Sequence, residues 1–161
     1  MGMIPFETDW TLPWQFDEIG GHLNPGQEKI LHDLACLVPE DGVILEVGAF
    51  KGRSTAAMAM SGRKVYTIDS FTGQPENTND LSAPSFLGEF YTNIDRVGCV
   101  DNVEPLVGLS SEFWGKFDTP IDMLFIDGGH DHEVVSGDFE AFFPLLKTGG
   151  ILAMHDVYSE N

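Results

Sequence analysis

Five short apolar runs punctuate this chain: Val43 to Val47, Lys64 to Ile68, Val103 to Val107, Ile121 to Ile126 and Ile151 to Met154. Their length and their Gly, Pro and Asp boundaries predict strands, and the run from Ile121 is almost wholly apolar, as a central parallel strand requires. Between them the apolar positions recur at helical spacing. A first helix is expected from Asn24-Pro25-Gly26, with Asn24 as N-cap, Pro25 in the first turn and Ile30, Leu31, Leu34 and Leu37 on one face. Pro39 stops it. Further helices are expected from Ser54 to Met60, from Phe86 to Val97 and from about Glu133 to Leu146, the last burying Val134, Val135, Phe139, Phe142 and Phe143. Thr148-Gly149-Gly150 then turns into the fifth strand, while Ser70 to Pro84 is rich in turn formers and reads as a long loop. Strand and helix alternating five times predict an α/β domain, a doubly wound parallel sheet with right-handed crossovers.

Residues 1–23 stand apart from this pattern. They carry Phe6, Trp10, Trp14 and Phe16 among prolines and acids without any period, and form an N-terminal arm ahead of a domain spanning 24–161. Its aromatics bury either as a strap on the domain's own surface or as a lid over the functional site.

Chemistry concentrates where the first strand ends. Glu46-Val47-Gly48-Ala49-Phe50-Lys51-Gly52-Arg53-Ser54 leads a buried strand through two glycines into a helix, and Gly48 and Gly52 let the backbone turn tightly and approach a ligand. A dinucleotide loop would read G-x-G-x-x-G, but Phe50 occupies the middle glycine's place, which disfavours a nicotinamide-dependent oxidoreductase. The carboxylate of Glu46 suits a cationic ligand better than a phosphate. Asp69 closes the second strand about twenty residues after the loop, where an acid accepts both ribose hydroxyls of an adenosine or serves as a turn aspartate. Asp127 and the pair His155-Asp156 close the fourth and fifth strands.

These residues resemble the class I S-adenosylmethionine-dependent methyltransferases, and within them the small-molecule O-methyltransferases, whose first motif commonly reads E-[IVL]-G-x-[YF]-x-G-x-S. The resemblance covers roughly Asn24 to Val157 and implies a Rossmann-like sheet of order 3-2-1-4-5. It assigns cofactor contacts to Glu46, Gly48, Ala49, Phe50, Gly52 and Ser54 in the loop, to Asp69 and Ser70, to Ser110 in Gly108-Leu109-Ser110-Ser111-Glu112, and to Asp127. Within that set Glu46 would hold the cationic end of the methionine part and Asp69 the ribose. Ser110 and Ser111 either border the adenine or cap the next helix. Asp127, His155 and Asp156 match the divalent-cation ligands of the family's catechol and macrolide-sugar enzymes. His155 departs from the acid usual there, so it either moves the preference from Mg²⁺ toward Mn²⁺, Fe²⁺ or Zn²⁺ or faces away; the alternative is a structural His-Asp pair. His130, three residues beyond Asp127, matches the family's general base, with His132 as competitor. Lys51 and Arg53 reach toward the cofactor carboxylate or point to water, and Asp138 and Glu140 are expected to face solvent.

Composition narrows the partners. The 161 residues include 26 acids against 8 Lys and Arg, a formal net charge of -18 that repels nucleic acid and anionic membrane surfaces. A small neutral or cationic methyl acceptor fits that field, although such acidity equally serves solubility or a salty habitat. Neither a secretory leader nor a membrane span is visible, so a cytoplasmic location is the expectation. Cys36 and Cys99 are expected to be buried free thiols. The resemblance also implies that the family's C-terminal strands are missing after strand five. The exposed edge left there would be covered by the arm or by a second subunit in a homodimer. The functional expectation is O-methylation of a small hydroxylated metabolite, and the alternative is a cofactor-binding subunit without turnover.

Overall fold

A computed structural model describes residues 16, 18–72, 85–129 and 131–156. Its five strands, β1 (Val43–Val47), β2 (Lys64–Asp69), β3 (Val103–Val107), β4 (Ile121–Ile126) and β5 (Leu146–Met154), form one sheet in the order β3-β2-β1-β4-β5. Every adjacent pair is parallel. The helices are α1 (Gln27–Leu37), α2 (Arg53–Ala59), α3 (Leu87–Arg96) and α4 (His132–Phe142), with short 3₁₀ turns at Val100–Asn102, Ser110–Glu112 and Phe143–Leu145. None of these helices is long and apolar enough to cross a membrane.

Period-two alternation along the strands builds a core on each face. Ile44, Met123 and Phe125 face the layer of α1, α2 and α3, where they pack with Leu31, Ala35, Met58, Phe90 and Ile94. Leu45, Val47, Leu124 and Ile126 face Phe142 of α4. Phe16 and Ile19 are buried in the first of these cores, so the end of the arm straps the helical layer.

Several boundaries differ from expectation, each for a local reason. Asn24 does not cap α1: the chain makes a turn in which the Gln27 N–H donates to the Asn24 carbonyl at 3.0 Å, with Gly26 at φ 91° as the capping residue. Ile30 and Leu37 are exposed, while Leu31 and Ala35 face the sheet. The α4 helix stops at Phe142 because Pro144 has no N–H to continue it, and Phe143 lies in the following 3₁₀ turn with its ring exposed. Val134, Val135 and Phe139 are only half-buried. Thr148-Gly149-Gly150 is not a turn before β5 but an irregularity inside it, with the register shifting between Ile121 and Met123. Cys99 is buried as expected, but Cys36 is exposed on α1 with its sulfur 3.4 Å from His32 Nδ1.

Candidate functional site

Parallel pairing brings the carboxyl ends of all five strands to one edge, and the hydrogen-bond ladder runs past them into the loops. Gly48 N–H donates to the Ile68 carbonyl at 2.9 Å, Asp127 N–H to Val47 at 2.8 Å, and His155 N–H to Ile126 at 3.0 Å. These bonds fix the loops that open a cavity of about 610 Å³ beyond the carboxyl ends of β1 and β4, where the strand order reverses. Its wall comes from Gly48 to Phe50, Ile68 to Ser70, Gly108 to Ser110, Asp127 to Gly129, and His155 with Asp156.

The glycine loop is held open by close contacts. Gly48 sits at φ 93°, and a Cβ there would lie 2.3 Å from the Asp127 carbonyl oxygen, so β1 and β4 meet backbone to backbone. Gly52, at φ 89°, opens α2 where a Cβ would press on the Phe90 ring at 2.9 Å. Phe50 takes φ 48°, a left-handed conformation uncommon for a bulky residue. Asp69 holds it there: Oδ2 accepts the N–H groups of Ala49 and Phe50, both at 2.7 Å, and Oδ1 accepts that of Phe71 at 2.6 Å. Asp69 therefore braces the loop and lines the cavity at once.

Of the loop residues expected to touch a ligand, Gly48, Ala49, Phe50 and Ser54 are in the wall, and so are Ser70, Ser110 and Asp127. Glu46 is not. Its side chain is 0 % exposed and accepts hydrogen bonds from Ser54 Oγ and from Thr55 Oγ1, the latter at 2.5 Å. Burial pushes its carboxyl up to about 7, against the pull of those hydroxyls. The acid ending β1 is thus a buried tie between the strand and α2 rather than a ligand contact. Gly52 also lies outside the wall, behind the loop. Neither Ser110 nor Ser111 caps the 3₁₀ turn; the Glu112 carboxylate accepts the Leu109 N–H at 2.7 Å.

Asp127, His155 and Asp156 come together. One ligand-type atom of each lies within 4.8 Å of the others. His155 Nδ1 stands 3.0 Å from Asp127 Oδ1 and 3.2 Å from Asp156 Oδ2, yet it is buried and makes no hydrogen bond, because those oxygens lie off the ring's donor direction. The Asp156 backbone is left-handed at φ 52°. An orphaned ring nitrogen between two carboxylate oxygens fits a divalent cation, and a nitrogen in the set favours Mn²⁺, Fe²⁺ or Zn²⁺ over Mg²⁺. His130 lies outside the described residues. His132, its competitor, opens α4 in an exposed position outside the wall, 3.5 Å from Ser136 Oγ.

Four roles are settled only by the tertiary structure. The strap supplies Gly20 to Leu23 to the cavity, with the His22 ring 5.3 Å from that of Phe50. Arg53 points neither to water nor simply into the cavity: Nη1 donates to the Phe16 and Ile19 carbonyls and Nε to the buried Glu28, each at 2.6 Å. It pins the strap. Lys51 is drawn aside by Glu89 at 3.1 Å. Asp138 does not face solvent; it is 0 % exposed, accepts the Trp114 Nε1–H at 2.8 Å and a bond from Ser110, and burial raises its pKa. Its phase was readable, since it falls four residues after Val134 and four before Phe142 on the inward face of α4.

A model of the methyltransferase domain matches residues 45–157, which is more than half of the chain and contains the loop, Asp69, Asp127, His155 and Asp156. The chain belongs to this methyltransferase family. Its sequence is 26 % identical over 134 residues to uncharacterized protein R132 of Acanthamoeba polyphaga mimivirus, covering 79 % of this chain and 57 % of that one. Methyltransferase folds of known structure superpose well. An O-methyltransferase from Bacillus cereus, solved in complex with SAH, gives a TM-score of 0.68 at 22 % identity, over 87 % of this chain and 64 % of the other. The O-methyltransferase TomG from Streptomyces achromogenes, involved in tomaymycin synthesis and solved with SAM, gives 0.71 at 20 % identity, over 89 % and 66 %. The chain spans under two thirds of the length of the mimivirus protein and of the Bacillus cereus enzyme.

Proposed function

We propose that this methyltransferase-family chain transfers the methyl group of S-adenosylmethionine to an oxygen of a small hydroxylated metabolite, assisted by a divalent cation. The observation that carries this reading is the shared edge of the cavity: Asp69 faces it from the end of β2, and the Asp127, His155 and Asp156 cluster faces it from the ends of β4 and β5. One side suits an adenosine and the other a cation, so a methyl donor and a chelating acceptor would meet between them. The family assignment and the net charge of -18, which favours a cationic sulfonium over a phosphate-bearing ligand, support it.

In this reading the Gly48 turn admits the cofactor against backbone, and Asp69 accepts its ribose hydroxyls with the lone pairs its three amide bonds leave over. Ser70 and Ser110 border the adenosine. Asp127, His155 and Asp156 would hold the cation, which would lower the pKa of an acceptor hydroxyl. The acceptor oxygen attacks the methyl carbon in line, the carbon–sulfur bond breaks with its electron pair left on sulfur, and S-adenosylhomocysteine departs. The hydroxyl proton passes to a base, a role the resemblance gives to His130. Positioning the two reactants in one cavity supplies much of the acceleration.

The test is turnover of a panel of vicinal-diol and catechol acceptors with S-adenosylmethionine, with and without Mn²⁺. Product that needs the cation and is lost in Asp156→Ala supports the reading. Cofactor binding without product from any acceptor favours a binding subunit. A homodimer covering the outer edge of β5, where Leu152 is 38 % exposed, completes the proposal; a monomer mass in sedimentation would sink that part.

A further inference from the structure

The orphaned nitrogen of His155 has a cause on the other side of the ring, in the first turn of α1. Asn24 to Gln27 forms a tight turn with Pro25 and Gly26 at its centre, Gly26 at φ 91°, closed by the Gln27 N–H on the Asn24 carbonyl at 3.0 Å. The same turn is closed a second time by a side chain: the Asn24 N–H donates to Gln27 Oε1 at 2.6 Å. That bond identifies the amide atom as the oxygen, because a backbone N–H needs an acceptor. The oxygen is also 3.0 Å from His155 Nε2. An amide oxygen only accepts, so the ring must donate, and its proton sits on Nε2.

A neutral imidazole has one N–H. In the neutral ring that N–H is committed to Gln27, which leaves Nδ1 with its lone pair, buried, within 3.2 Å of two carboxylate oxygens and hydrogen-bonded to neither. Three acceptors converge with no donor among them. We infer that Gln27 is a positioning residue that locks His155 in the Nε2–H tautomer and thereby makes Nδ1 a cation ligand. This rests on the cation reading above, and it assigns a role to a residue that lies 128 positions from its partner in sequence. The logic is that of acceptors that bind the far N–H of a metal-bound imidazole, which orient the ring and raise its basicity. Here the acceptor is a neutral amide whose own orientation is fixed by a backbone turn. With Gln27 removed the ring loses the acceptor that fixes its orientation, and a small rotation would let the proton move to Nδ1 and point toward Asp127 or Asp156.

Two measurements on the full chain test this. The first is ¹⁵N NMR of the imidazoles in the metal-free protein, assigned by His155→Gln. The second is calorimetric titration of Mn²⁺ into wild type, Gln27→Leu and Gln27→Glu, with circular dichroism confirming that each variant is folded. The expected result is an Nε2–H ring in wild type and an Nδ1–H ring in Gln27→Leu. Mn²⁺ binding should weaken by about 10- to 100-fold in Gln27→Leu. It should be retained within about threefold in Gln27→Glu, which keeps the acceptor oxygen. Equal Mn²⁺ affinity in wild type and Gln27→Leu would overturn the inference, and so would a proton on Nδ1 in the wild-type, metal-free protein. If wild type takes up no Mn²⁺, the cation reading fails, and the tautomer alone then decides: a switch from Nε2–H to Nδ1–H on Gln27→Leu upholds the positioning role, and no switch refutes it.

Discussion

Replacing Glu46 by Gln should make the protein more stable at pH 8 and leave it nearly unchanged at pH 5. The carboxyl is fully buried, and burial raises it from 4.5 to about 7. A group held above its unfolded value binds its proton more tightly in the native state, so its contribution is fully present below pH 4.5 and is lost as pH rises through about 7. Each tenfold change in proton affinity corresponds to about 1.4 kcal/mol, which gives about 3 kcal/mol over that window. Glutamine mimics the protonated acid: it offers one oxygen acceptor and one donor, and the Ser54 and Thr55 hydroxyls can each rotate to match. The stability difference between variant and wild type should therefore grow by about 2.5 kcal/mol in favour of Glu46→Gln between pH 5 and pH 8. Urea unfolding of both proteins at half-unit pH steps measures it, and the comparison cancels other titrating groups, Asp138 among them. A difference that stays constant across the range would refute the argument, because it would mean that Glu46 is ionised in the native protein throughout.

Other substitutions probe the architecture around the cavity. Gly48→Ala should destabilise by at least about 2 kcal/mol in urea unfolding and abolish S-adenosylhomocysteine binding, since its methyl group would lie 2.3 Å from the Asp127 carbonyl at a positive φ. Asp138→Ala removes the acceptor shared by Trp114 and Ser110, and should cost about 1 to 3 kcal/mol of stability. It should also weaken S-adenosylhomocysteine binding about fivefold, through the loosened Ser110 turn; an unaltered affinity would show that Asp138 does not position that turn.

The strands were legible because a sheet buried on both faces leaves near-continuous apolar runs, and β1, β3 and β4 match their expected bounds residue for residue. The order of the sheet followed from resemblance, and the acids at the strand ends from their place just after those runs. Side-chain roles were harder to read wherever the deciding partner is distant in sequence. Glu46 looks like a ligand until Ser54 and Thr55 are seen to consume it, and Asp138 looks like surface charge until Trp114 arrives from across a loop. Gln27 carried no signal at all, since its partner His155 is brought beside the first turn of α1 only by tertiary packing. Arg53 shows the same limit, with its three partners 25 to 37 residues away.

The central claim is that the cavity binds the adenosyl cofactor with Asp69 at its ribose. Substituting Asp69 cannot test this cleanly, because its carboxylate also holds the amides of Ala49, Phe50 and Phe71. The ligand can be altered instead. Calorimetric titration of the wild-type protein with S-adenosylhomocysteine, and with its analogue lacking both ribose hydroxyls, should give one saturable site for the first and binding at least about tenfold weaker for the second. Equal affinity for the two would remove Asp69 from the ribose, and no binding of either would contradict the account at its centre.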